Sequence, residues 1–414
     1  MNFFLVIILV ILIGTYLLEV GVEVLNLRHV EAKLPHEFQG YYDEDQYRIS
    51  QEYLKDSTRL EIIIDSLTLL VIIIFILLGG FNWVDRFVRG FHLGEIPTGL
   101  LFVGILLLAS QILFLPFSIY STFVIEERYG LNKTTPKTFV LDILKTCLLT
   151  AALGGILLSV VLWFFGRTGS WAWLYCWVAV ILFQLILIFV APVTIFPLFN
   201  KFVPLEHGPL REAIEAYARS QQFKLKGIFT MDGSKRSART NAFFTGFGKF
   251  RRIVLYDTLV EKHTEKELVC ILAHEMGHYK KRHLIKTAVI SVLTTGLMFY
   301  ILSLFINNRE LFDAFKMEET SVYGSLFFFG FLYSPIMMVL SIFGKMLSRR
   351  HEYEADRYAV ETCRDHESMI LALKKLSMDN LSDLTPHPLK VFLSYSHLPP
   401  LERIKAIRRI HLED

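Results

Sequence analysis

His274 and His278 stand four residues apart with Glu275 between them, in the run Leu272-Ala-His-Glu-Met-Gly-His278. Positions four apart share one face of a helix, so both imidazoles can reach a single ion. The intervening carboxylate then lies beside the position such a site leaves open, where it can take a proton from water. The chemistry implied is metal-assisted hydrolysis, with zinc the ion that imidazole and carboxylate donors suit. So short a pattern also arises by chance on charged helix faces. Against chance stands the apolar run Leu268 to Ala273 just before it, since two histidines and a glutamate in such a setting are costly unless used.

Such a site needs a third protein ligand. A third histidine of the extended metzincin motif would fall at position 284, which is Leu284, and His283 is one residue out of register. The ligand must then come from a second helix. The segment Arg349-Arg-His-Glu352-Tyr-Glu-Ala-Asp356 offers two carboxylates four apart on one face. Glu352 would bind the metal, and Asp356 would hydrogen-bond a ligating histidine and fix its tautomer. Glu354 falls off that face and points elsewhere. The expected set is His274, His278 and Glu352 around one Zn2+ per chain.

Thr264 and Glu267 form a Thr-x-x-Glu capping box that starts the motif helix. Around it the 414 residues are 53% hydrophobic, gathered in long uncharged runs. Such runs of about 18 residues or more cross a bilayer as helices. Seven are expected, at about 3–19, 62–82, 98–120, 143–165, 171–197, 285–306 and 322–346. The first lacks a basic n-region and a cleavage site and reads as a retained span. The organisation expected is a membrane domain at 1–199, a polar loop with the motif helix at 200–284, two spans at 285–346, and a polar tail at 347–414. In the loop, 209–222 reads as an amphipathic helix, with strands at Gly227 to Met231 and Ile253 to Tyr256 around the turn Phe244 to Gly248.

Charge sets the expected orientation. The loop and tail carry Lys280-Lys-Arg282, Arg349-Arg350 and Arg408-Arg409, whereas the opposite connections carry little beyond Arg86, Arg89, Arg167 and Arg309. By the positive-inside rule both polar segments, and the active site, face the cytoplasm. A net charge of +3 with no basic tail argues against a nucleic-acid partner. Four scattered cysteines form no Cys-x-x-Cys pair and indicate neither a disulfide framework nor a thiolate site.

Read together, these residues resemble the type I CaaX prenyl proteases, polytopic zinc metalloproteases. The resemblance runs through Phe123-Val-Ile-Glu-Glu-Arg-Tyr-Gly-Leu-Asn-Lys133, Gly233 to Ser237, Asn241 to Gly248, Arg252 to Thr258, the zinc motif, Glu352 to Asp356, Pro386-His-Pro388 and Tyr395 to Arg403. It implies an all-α polytopic fold: seven transmembrane helices forming a barrel around an intramembrane chamber, with a small α+β zinc-protease cap. It also implies roles that spacing does not supply. His397 would stabilise the oxyanion, Arg403 would orient it or bind substrate, and Asn241 would belong to the strand that aligns the substrate backbone.

Two features depart from the family pattern. The His-Pro-Pro order becomes His397-Leu398-Pro399-Pro400, with the spacing to Arg403 kept. The connections between the 253–258 strand and the zinc helix and between the last two spans are short, which favours a prokaryotic inner membrane over the endoplasmic reticulum. The expected activity is endopeptidase cleavage of membrane-associated peptides or proteins, prenylated CaaX substrates among them. Quality-control proteolysis without a prenyl requirement is the alternative within the class. A transporter or scaffold with an inactive zinc site is the alternative outside it, disfavoured by the intact Glu275 and the few charges in the spans. The oligomeric state is not legible.

Overall fold

The computed structural model describes residues 2–31, 33–246 and 251–411. Seven helices in it are long and apolar enough to cross a membrane: Phe3–His29, Glu44–Leu77, Glu95–Glu126, Pro136–Arg167, Gly169–Phe199, His283–Ser303 and Val322–Cys363. Their number and order match the sequence reading, but several run beyond the hydrocarbon and become part of the cap. The second span ends at Leu77 instead of 82, because Gly79 turns left-handed at φ 74° and restarts the chain as a separate short helix.

The spans pack in chain order, each against the next, and the seventh returns to the first. That closes a barrel. One end is filled by a hydrophobic cluster including Ile8, Phe81, Phe102, Phe312, Phe315 and Phe328. There the Tyr323 hydroxyl and Arg89 Nε both donate to the buried Asp85. Toward the cap, a cavity of about 1180 Å³ reaches from Gln111 and Thr146 in the spans to Asn241 and His397.

The cap carries a four-stranded sheet in the order β1 (Phe202–Pro204), β2 (Gly227–Met231), β4 (Arg252–Tyr256), β3 (Ala242–Thr245). β2 and β4 are parallel, and the outer pairs are antiparallel. The two strands expected from sequence are present, with β4 starting one residue earlier. β1 and β3, at three and four residues, were too short to read. β3 occupies Phe244 and Thr245 of the expected turn, Gly246 follows at φ 84°, and Phe247 and Gly248 lie outside the described residues. The expected amphipathic helix spans Pro209–Ser220, with Ile214 and Tyr217 buried.

One core joins the sheet to the helices that carry the motifs. Ile253, Leu255 and Leu259 meet Leu268, Leu272 and Met276 of the motif helix (Glu265–Lys280), and Ala359 and Ile404 complete the packing. Burying aliphatic side chains of this size contributes about 1.5–3 kcal/mol each. The motif helix therefore has its position fixed from both sides.

Candidate active site

The motif helix begins at the expected capping box: Thr264 Oγ1 accepts from Glu267 N–H, and Glu267 returns the bond to Thr264 N–H. It packs along the seventh span, whose 42 residues continue without a break from Val322 past the membrane to Cys363. Gly277 makes the close approach possible. A Cβ there would stand 3.0 Å from the Ala355 Cα and 3.1 Å from the Ala355 carbonyl oxygen. With the two backbones this near, Glu352 on one helix reaches His274 and His278 on the other.

The three side chains converge. His274 Nε2 lies 3.1 Å from His278 Nε2 and 3.6 Å from Glu352 Oε2, and His278 Nε2 lies 3.3 Å from Glu352 Oε1. Two donors on a tetrahedral zinc, at bond lengths near 2.0–2.1 Å, are separated by roughly 3.3 Å. The triangle therefore has the dimensions of one face of such a site. Its chemistry agrees. Asp356 Oδ1, 2.8 Å from His274 Nδ1, takes that ring's N–H and leaves the Nε2 lone pair facing inward. Glu352 is 1% exposed, and its Oε2 has no hydrogen-bond partner. A buried carboxylate oxygen facing imidazole lone pairs calls for a cation. The residues fit a metal ion.

Asp356 is itself held by Arg403, which donates from Nε at 2.9 Å and from Nη2 at 2.6 Å. Arg403 Nη1 stands 3.4 Å from Glu352 Oε2. Burial alone would pull the guanidinium down, but Asp356 and then Glu352 more than offset it and hold Arg403 above its ordinary pKa. The sequence-expected role at the oxyanion is thus joined by a second one visible here, that of clamping Asp356.

His397 comes from the loop before the last helix, Pro400–Ile407. Two cations of the ligand-bearing helix hold the entry to that loop: Arg349 donates to the Val391 and Tyr395 carbonyls and Lys345 to that of Leu393, at the end of the preceding helix Pro388–Ser394. Leu398, the departure from the family order, is buried. It anchors the loop and leaves His397 Nδ1 3.1 Å from Glu352 Oε1, with the ring 72% exposed toward the cavity. That hydrogen bond to Glu352 raises the His397 pKa above its usual value. Glu275 is half-buried, close enough for its charge to act on both His397 and Arg403. Asn241, exposed at the start of β3, lines the same cavity. The sheet ends at β3, whose outer edge pairs with no other strand among the described residues.

The motif helix stops at Lys280, and Arg282 at φ 57° turns the chain before His283, where the sixth span starts as a separate helix. Glu354 turns away from the converging donors, and its Oε2 lies 3.0 Å from His283 Nε2. That contact was not read from the sequence; the available signals were a histidine five residues past the motif and a second glutamate two past Glu352.

A fold of seven spans in a closed ring, with a metallopeptidase motif at its cap, defines a class of membrane metallopeptidase, and comparison with known proteins agrees. Residues 23–201 match the family described as CAAX prenyl protease N-terminal, five membrane helices. Residues 204–411 match peptidase family M48. The "CAAX prenyl protease 1 homolog" of Arabidopsis thaliana is 34% identical over 92% of this chain and 93% of its own. "CAAX prenyl protease 1" of Saccharomyces cerevisiae is 32% identical over 91% and 89%. The crystal structure of S. mikatae Ste24p superposes with a TM-score of 0.93 at 31% identity, over 98% of this chain and 99% of that one. The chain belongs to the CAAX prenyl protease branch of peptidase family M48, and is a multi-pass membrane metalloendopeptidase. These relatives are eukaryotic and lend no support to a prokaryotic membrane.

Proposed function

We propose that this protein is a zinc-dependent endopeptidase that cleaves CaaX-type carboxyl-terminal segments of membrane-associated proteins, with its site on the cytoplasmic side. The observation that carries the reading is the convergence of His274, His278 and Glu352 on one point, beside His397 and Arg403, which line a large cavity that reaches among the spans. Zinc, when bound by these three residues, supplies Lewis-acid polarisation and lowers the pKa of water. Glu275 takes the proton of the attacking water and returns it to the leaving amine. His397 donates to the oxygen that becomes negative in the tetrahedral intermediate. The β3 edge and Asn241 hold the substrate as an added strand, so that main-chain bonds fix the register of cleavage. A chain entering beside the cavity can keep a lipid group at membrane depth while its carboxyl end reaches the cap.

The experiment is hydrolysis by the full-length, metal-analysed protein in lipid vesicles. A farnesylated CaaX peptide, its unprenylated counterpart and an unrelated membrane-protein segment are compared. Preferred cleavage of the farnesylated peptide, lost on zinc chelation, is the expected result. Equal cleavage of all three would replace the CaaX reading with general membrane proteolysis. For the orientation, cysteines placed near Lys224 and Lys405 should be shielded from an impermeant reagent applied outside, while one near Arg309 should label. The reverse pattern overturns the cytoplasmic assignment.

A further inference from the structure

Asp356 fixes His274, but nothing named so far fixes His278. The answer is at the turn between the motif helix and the sixth span. His278 Nδ1 lies 3.0 Å from His283 Nδ1, and His283 Nε2 lies 3.0 Å from Glu354 Oε2. His283 is 3% exposed, and its ring is stacked on that of His351 at 3.9 Å between centroids and 9° between planes. Arg350 Nε donates to the other oxygen of Glu354 at 3.2 Å, and Lys286 stands 3.7 Å away. Arg282, in the left-handed region, sets the angle at which His283 enters the gap.

The protons in this chain have one consistent arrangement once a metal is bound. An ionised carboxylate only accepts, so Glu354 takes the N–H of His283 Nε2. A neutral imidazole has a single N–H, which leaves His283 Nδ1 as an acceptor. His278 must then donate from Nδ1, and its Nε2 carries a lone pair toward His274 and Glu352. The opposite tautomer would place a proton on Nε2, between the three converging donors, where a metal has to sit.

We propose that Glu354 and His283 are positioning residues that lock His278 in its metal-binding tautomer and orientation, a relay at the membrane junction that parallels Asp356 and Arg403 in the cap. The inference rests on the proposed metal assignment of His278. Its stacked and buried setting makes His283 rigid, so the ring of His278 is held by a fixed acceptor instead of by water.

The test is zinc affinity of the full-length protein, measured by competition with a chromophoric chelator, with the cobalt(II) absorption spectrum as a reading of ligand geometry. His283→Ala should weaken zinc by about 10–100-fold and alter the cobalt spectrum, as loss of an outer partner of a metal-bound histidine does. Glu354→Ala should fall at the lower end of that range. His283→Asn puts an amide oxygen where Nδ1 stood and should recover most of the affinity. Wild-type affinity and spectrum in His283→Ala and Glu354→Ala would overturn the relay. So would equal losses in His283→Ala and His283→Asn accompanied by equal falls in Tm, which mark a packing role. Full zinc affinity in His278→Ala would instead remove the metal assignment beneath it.

Discussion

The site has two walls, and they are built differently. The metal-facing wall, His274, Glu352 and Asp356, is 1–7% exposed, and each member has partners on at least one other element. The other wall is looser: Asn241 and His397 are exposed and line the chamber, and Glu275 is half-buried. The first wall is held by folding: removing a member leaves a buried charge or lone pair without its partner. The second is held loosely because its groups must meet a substrate that comes and goes. Substitutions on the two walls should therefore fail in different ways.

The largest expected effect is on the open wall. Glu275→Gln removes the proton acceptor and should cut turnover by about 10²–10⁴-fold while zinc content stays full. Elemental analysis beside peptide hydrolysis checks this, and a variant that lost zinc would blur the distinction between the walls. His397→Ala should lower kcat by roughly 10²–10³-fold with KM little changed, because its hydrogen bond matters when the oxyanion forms. Unchanged kcat would return His397 to the role of an ordinary loop histidine. On the buried wall, Asp356→Asn should weaken zinc by about 10–100-fold and lower Tm as well, since it takes from the buried Arg403 the nearer of its two carboxylates and leaves only Glu352. Zinc loss without a fall in Tm would show that the pair matters only to the metal. The smallest effect should come from Gly277→Ala, an overpacking cost of about 1–3 kcal/mol that drives the two helices apart. Chemical denaturation measures it, and a neutral result would mean the helices can give way.

The seven spans were legible in the sequence because length and apolarity alone define a membrane span, whereas their closure into a barrel came only with the family resemblance. The capping box, the motif helix and the pairing of Glu352 with Asp356 were legible because helical periodicity is local. Much of the rest depends on segments distant in the chain. His283 and Glu354 lie 71 residues apart, and their contact follows from a single left-handed residue, Arg282. The role of Gly277 depends on a neighbour on another helix, Ala355. Arg349 counted in the sequence only toward orientation, and Lys345 fell inside the expected seventh span, so neither announced its contact with the segment before His397. β3 gains its meaning from being last in the sheet, which four residues cannot announce.

The seventh span and the carboxylate Glu352 are one helix of 42 residues, with Pro335 inside it. From Pro335 to Glu352 is 17 residues, or about 25 Å of helix, and proline is the usual place for a helix to bend. A change of about 2° there swings Glu352 by roughly 0.9 Å, several times the ~0.2 Å tolerance of a metal bond. A bend there would make the helix a lever whose long arm carries both Glu352 and the exposed apolar side chains Ile336, Met337, Val339 and Phe343, so hydrocarbon thickness would enter the tolerance of the site. Zinc affinity compared between thin and thick bilayers reads that lever directly, and an affinity indifferent to thickness would show that the cap clamps its far end.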